Sequence, residues 1–233
     1  MPRYAYPRYA GKLIILLGHG IPPRDWYLGE HAGALAALPG VLEYRANILS
    51  EQRSDCLTRD TNGDDPYGVQ AVDEIKGADW PSLRHLYDGV PVIGVYLCTE
   101  YMIRELHTNR PAGMKSPEIK RIAMLTKPAD KTHEEAMNYW LEHHPDFCFR
   151  HHSGMASYSQ NHVDSLLMKG SPPLDGFPML SYWNEDALRF GHFSMRDSKK
   201  LMMEDCRHFR STSFVMTMDE YVMFQSIVAP SGD

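Results

Sequence analysis

Two histidines define the chemistry open to this sequence. His144 closes the stretch Tyr139-Trp140-Leu141-Glu142-His143-His144, and His31 closes a shorter copy, Trp26-Tyr27-Leu28-Gly29-Glu30-His31, 113 positions earlier. Each sits on an apolar stripe. Met137, Trp140, Leu141 and His144 fall at i, i+3, i+4 and i+7, one face of a 3.6-residue helix, and Tyr27, Leu28 and His31 take the matching places in the first copy. Burial on such a face lowers an imidazole's pKa, and the neutral ring accepts a proton at pH 7. General acid–base catalysis is therefore one reading; a core histidine satisfied by a single backbone carbonyl is the other. Tyr158, Gln160 and His162 alternate with Ser157, Ser159 and Asn161 on a strand pattern, so one set of three shares a face that can meet His144. The sequence leaves open which set it is, and either Tyr158 or Asn161 would hold a developing oxyanion.

Around these groups the aromatic side chains Tyr27, Trp140, Tyr44, Tyr96 and Trp183, with His162, are candidates to line a cleft for a planar, partly apolar substrate. A metal is not expected. His143, His144, Cys148, His151 and His152 are crowded, but Pro145 is expected to end the helix among them, so three ligands do not converge. Asp60, Asn62 and Asp64 have calcium-loop spacing, yet Asp65 stands where that loop needs glycine and Ala71 where it needs glutamate. With no glycine-rich phosphate loop, GxSxG elbow or HExxH, no nucleotide cofactor is expected either.

The 233 residues, 43% hydrophobic, suffice for one large domain or two of about half that size. A formal charge of −6 gives no electrostatic reason for a nucleic-acid partner. Cys56, Cys98, Cys148 and Cys206 form no CxxC pair and are expected as reduced thiols in a cytoplasmic protein. No apolar run approaches the roughly 20 residues of a membrane span. The arm Tyr4–Tyr9 and the long polar interval 50–85 leave a homodimer open.

The elements that must position the histidines follow from periodicity. Lys12–Leu17 reads as a central strand, Pro22 and Pro23 open the first helix, and Val41–Leu49 forms a second strand with Leu42, Tyr44, Ala46 and Ile48 on one face. Interval 50–85 reads as an inserted loop with a short helix at Val69–Ile75, followed by a strand at Val90–Leu97 and a helical piece at Tyr101–His107. The turn-rich stretch from His107 to Glu118 marks a boundary. A second unit then runs through a strand from Ile119, a helix opened by a Thr132/Glu135 capping box, a strand at Gly154–Val163, a further strand after Asp175-Gly176, a helix in Ser198–Phe209 and a strand at Ser213–Phe224. That is the split βαβ, ferredoxin-like order. The first unit, residues 1–110, looks degenerate and short of its last helix and strand; the second, residues 119–228, is complete.

These pieces resemble the EthD-like family of the dimeric α+β barrel superfamily. The resemblance rests on Tyr139-Trp140-Leu141-Glu142-His143-His144-Pro145, on Tyr158-Ser159-Gln160-Asn161-His162-Val163 and on Asp175-Gly176, and more faintly on Trp26 to Ala32. Where the family tends to an Asp-Glu pair ahead of a phenylalanine, this chain has Asp205-Cys206 before Phe209. The resemblance implies an α+β fold in which two ferredoxin-like units pack their antiparallel sheets as an intramolecular barrel, each with a pocket between sheet and helices. It also implies a cofactor-independent lyase, isomerase or dehydratase acting on a small aromatic or cyclic catabolite. His144 would be the base, with Tyr158 or Asn161 as oxyanion donor and His31 as the equivalent in the first unit. A ligand-binding or accessory protein, and a monooxygenase with or without haem, are the alternatives.

Overall fold

In the computed structural model the chain is described over residues 5–51, 66–106 and 111–226. Eight strands, β1 (Arg8–Leu17), β2 (Glu43–Leu49), β3 (Ala71–Lys76), β4 (Val92–Arg104), β5 (Ile119–Thr126), β6 (Met155–Leu166), β7 (Gly176–Tyr182) and β8 (Thr212–Gln225), form one closed antiparallel barrel. Its order is β1-β3-β2-β8-β5-β7-β6-β4. The neighbour sequence fourth-first-third-second thus occurs once in each half of the chain, and the halves join edge to edge where β2 pairs with β8 and β4 with β6. Closure leaves no free sheet edge.

Helices cover the outside. In the first half α1 (Arg24–Trp26) passes through a π-helical turn, Tyr27–His31, into α2 (Ala32–Ala36), and α3 (Trp80–Leu83) precedes a 3₁₀ turn at Arg84–Tyr87. In the second half α4 (His133–Glu142) and α5 (His144–His151) follow β5, and α6 (Glu185–Gly191) and α7 (Ser198–Cys206) precede β8. The capping box is present: the Thr132 hydroxyl accepts from the Glu135 N–H, and Glu135 accepts from the Thr132 N–H at 2.8 Å. Among the described residues no helix is long and apolar enough to cross a membrane.

Three expected elements differ. Val69–Ile75 lies largely in strand β3, and Tyr101 to Arg104 extends β4; neither is helical. The first half therefore has its final strand. The interval 50–85 contains β3 and α3, so it is not an unbroken loop, although residues 52–65, with Cys56 and the calcium-like Asp60, Asn62 and Asp64, lie outside the described residues. Pro145 does mark the end of the first helix: α4 stops at Glu142 with His143 as its C-cap, and a separate helix, α5, begins at His144. Pro145 itself sits in the first turn of α5, where a missing N–H costs no hydrogen bond.

Strand alternation gives the barrel wall two surfaces. Outward positions such as Leu13, Ile15, Tyr44 and Ile75 pack under the first-half helices. Inward positions divide along the barrel axis. One end is an apolar plug containing Ile14, Leu16, Phe177, Met216 and Met218. Beyond it lies a closed ring of alternating charges. Lys12 reaches Glu74 and Glu100 at 2.6 Å each, and Lys76 reaches Glu100 at 2.6 Å and Glu43 at 3.2 Å. Arg45 pairs with Glu43 and, at 3.0 Å, with Glu220; Lys120 closes the circuit between Glu220, at 3.4 Å, and Glu74. Burial alone would raise these carboxyls, but Lys12, Lys120 and Arg45 hold Glu74 well below the ordinary glutamate range, and Arg45 and Lys76 draw Glu43 down to about 2.

Candidate active site

The two histidines have different surroundings. His31 is buried in an aromatic cage, stacked on Trp26 and Tyr27 and edge-on to Tyr87, with Nε2 3.8 Å from the Asp73 carboxylate. That carboxylate already accepts hydrogen bonds from Tyr27, from Tyr44 at 3.0 Å and from Tyr87 at 2.7 Å. Burial and the adjacent anion push all three phenols well above their usual range, so they stay protonated as donors. Tyr27 and Tyr44, expected as substrate contacts, are thus spent on Asp73. His31 lines neither cavity described here.

His144 lies at the head of α5, where it walls a cleft of about 100 Å³ between the second-half strands and helices α4, α5 and α7. Its Nδ1 is 2.5 Å from Asp205 Oδ2, and Asp205 Oδ1 accepts the Tyr139 hydroxyl at 2.8 Å. Burial lowers the His144 pKa despite the neighbouring carboxylate. The neutral ring donates its Nδ1 proton to Asp205, which leaves the Nε2 lone pair as the acceptor. That lone pair faces Cys148 Sγ at 3.2 Å, one helical turn on. Burial pushes the Cys148 thiol well up, and its S–H is the donor that Nε2 requires.

The cleft wall continues into the sheet. Tyr158 lies beside Cys148 in this wall and accepts from Trp140 Nε1 at 2.8 Å and Gln160 Nε2 at 3.0 Å. With both acceptor sites filled, its own O–H is left as a donor on the cleft side. His162 stacks on Trp140 at 4.8 Å and contacts Gln160 Oε1 at 3.0 Å, and burial lowers its pKa to about 3. Of the two alternating sets on β6, Tyr158, Gln160 and His162 are therefore the one that meets His144.

Asn161 is on the other face. Its Nδ2 donates to Phe177 O, and it cannot serve His144. Tyr96 is buried among the residues of the apolar plug, its hydroxyl on Pro172 O, and Trp183 is half exposed. Neither lines the cleft. Sequence reasoning missed Cys148 and Asp205, together with Arg121 and Arg210, whose guanidinium groups line the same cleft. Cys148 stands at the i+4 position from His144, a signal discarded when Pro145 was read as a helix end; the other three are brought in by tertiary packing. Among the described residues no group of His, Cys, Asp or Glu is arranged to hold a metal ion.

Deeper toward α6, His152 and His192 stack with ring centroids 4.4 Å apart. Arg121 donates to His192 Nε2 at 2.7 Å, and the Tyr182 hydroxyl meets Nδ1 at 2.6 Å. Burial, followed by the Arg121 charge, holds His192 well below its usual value and neutral.

No family model and no curated protein matches the chain. Solved structures do. An anthrone oxidase-like protein superposes with a TM-score of 0.58 at 8% identity, over 96% of this chain and 99% of that one. A candidate monooxygenase from Lactobacillus acidophilus NCFM gives 0.50 at 11% identity, over 94% and 98%. Another, from Fusobacterium nucleatum subsp. nucleatum, gives 0.51 at 8%, over 94% and 100%. The chain shares its α+β barrel fold with these proteins. At such identities the likeness concerns the fold alone, and the chemistry has to be argued from the cleft.

Proposed function

We propose that the chain is a proton-transfer enzyme of small-molecule catabolism, with His144 as general base in the second-half cleft. The observation that carries this reading is the buried series Cys148–His144–Asp205, oriented so that an unprotonated Nε2 lies at the cleft wall beside Tyr158. A substrate that displaces the Cys148 contact would deliver a C–H or O–H proton to Nε2. Asp205 would stabilise the resulting imidazolium, and the Tyr158 hydroxyl with Arg121 or Arg210 would meet the anion left behind. A positioned base of this kind contributes about 10² to 10⁴ in rate. The deprotonated substrate is the shared intermediate of isomerisation, elimination and dehydration. It also reacts with O₂, and the names carried by the structural neighbours, an anthrone oxidase-like protein and two candidate monooxygenases, favour oxygenation as a second reading.

Haem ligation does not fit these residues. His144 Nδ1 is held by Asp205 and Nε2 faces Cys148, and a cleft of about 100 Å³ has room for a small substrate but not for a macrocycle. The duplicated strand order supports descent from two copies of a ferredoxin-like, EthD-type unit, residues 1–110 and 119–228, of which the second kept a working cleft while the first turned its histidine into core.

The test is exchange of acidic C–H positions in D₂O, followed by NMR over a panel of small cyclic ketones, lactones and phenols with an oxygen electrode in parallel. Exchange by the wild type that falls about 100-fold in a folded His144→Gln variant supports the base. O₂ consumption selects the second reading. Undiminished exchange in His144→Gln removes the proposal.

A further inference from the structure

The two cavities of the molecule differ in charge. The larger, about 740 Å³ inside the barrel, is walled by the charge ring, whose cations and carboxylates are spent on one another. The His144 cleft is lined by Arg121 and Arg210 and, among the described residues, by no acidic side chain. Asp205, the carboxylate behind the base, is held by His144 Nδ1 and the Tyr139 hydroxyl and does not reach the lining.

Arg210 is the cation with chemistry to spare. It follows α7, its backbone N–H fixed on Cys206 O at 2.9 Å, and the half-buried side chain stands in the cleft wall. Among the described residues its guanidinium makes one hydrogen bond, to Met203 Sδ at 3.4 Å, and no ion pair. A thioether is a weak acceptor, so most of the donor fork remains available. Its charge reaches the reactive groups. Burial is the first influence on His144, His192, Cys148 and Cys206, and the Arg210 charge then favours the neutral imidazoles and opposes the rise of both thiols. Arg121, by contrast, already gives Nη1 to His192.

A planar fork of N–H donors on a wall without an acid matches a carboxylate. Between Arg210 and the base the lining is apolar, with Trp140, Phe193, Met202 and Phe209, and Tyr158 adds a neutral donor. A volume of about 100 Å³ limits the occupant to a short chain or a small ring.

We propose, resting on the reading of His144 as base, that the substrate of the cleft is a small oxo-carboxylate, its carboxylate on Arg210 and its acidic C–H at His144 Nε2. The C–H bond breaks, the proton passes to Nε2, and the electron pair moves into the oxo group, whose oxygen meets the Tyr158 O–H. Arg210 thereby selects for an anionic substrate and sets which carbon faces the base.

Ligand-observed NMR titration of the full chain tests the anion end by itself, with cyclopropanecarboxylate as the probe and cyclopropanecarboxamide and cyclopropylmethylammonium as neutral and cationic counterparts. The expected result is saturable binding of the carboxylate, with the amide about tenfold weaker and the ammonium not bound. In a folded Arg210→Gln variant the carboxylate should weaken about tenfold, the scale of one charge-assisted hydrogen bond, and the amide should not. His144→Gln should bind the carboxylate as the wild type does, so failure of the base, read by D₂O exchange at C3 of 2-oxobutanoate, is distinguishable from failure of the anion site. Absence of carboxylate binding, equal binding of the amide, or an affinity untouched in Arg210→Gln would overturn the proposal.

Discussion

In the proposed mechanism Asp205 and Cys148 turn a buried imidazole into a directed base. Asp205 fixes the tautomer through the 2.5 Å contact at Nδ1, and Cys148 marks the place at Nε2 where a substrate proton would arrive. The thiol is no nucleophile in this setting. Burial raises Cys148 well above its ordinary value, moves Cys206 up to about 11 and raises Cys98 as well, so all three are protonated near neutrality. Iodoacetamide at pH 8 followed by peptide mass mapping should therefore leave Cys98, Cys148 and Cys206 unlabelled in the native protein and labelled after denaturation. Rapid native labelling of Cys148 would show a thiolate and a different chemistry.

At the scale of elements, the cleft depends on how closely α6 approaches β6. A Cβ at Gly154 would come within 2.0 Å of the Ala187 carbonyl, backbone that cannot swing aside. Gly154→Ala should cost about 1–3 kcal/mol in denaturant unfolding. Gly29, in the exposed π-helical turn with open space around it, should gain about 0.5–1 kcal/mol as alanine. Elements with an apolar outer face and an unbroken period were legible in the sequence: β1, β5, β8 and the capped α4, whereas the stripe expected to run on to His144 breaks at His143, so that His144 opens α5 instead. What misled was the polar inner wall. Glu74 and Lys76 in β3 and Glu100 in β4 look like solvated helix positions because their partners, Lys12, Glu43 and Lys120, lie far away in sequence. The same blindness applied to the site. Asn161 and Tyr158 alternate identically, and only the barrel's curvature decides that Tyr158 faces the helices.

Over the whole molecule, folding stability is tied to charge placement. Cutting the ring with Glu74→Gln leaves Lys12 and Lys120 each short of one buried partner, and breaking buried pairs in this way typically costs about 3–5 kcal/mol. The pH dependence has a definite sign. Burial depresses His152 and His162 to about 3 and lowers His144 and His192, so the unfolded chain binds more protons below about 6.5 and stability falls as the pH drops through that point. The depressed Glu43, Glu74, Glu100 and Glu220 add a second loss below about 4.5, completed near 2 for Glu43. Urea midpoints between pH 8 and 2 should decline in these two stages, and a midpoint that rises on acidification would refute the buried-neutral assignment. The halves of the barrel share a strand order yet differ in use, with His31 closed into an aromatic core and His144 opened onto a cleft.

That difference rests on the protonation of one ring. ¹⁵N-detected imidazole spectra at pH 7, assigned through His144→Gln, should show His144 neutral with the proton on Nδ1 and Nε2 bare, and Asp205→Asn should lower its pKa further by removing the anion that favours the charged form. A His144 that is imidazolium at pH 7, or that carries its proton on Nε2, would contradict the account.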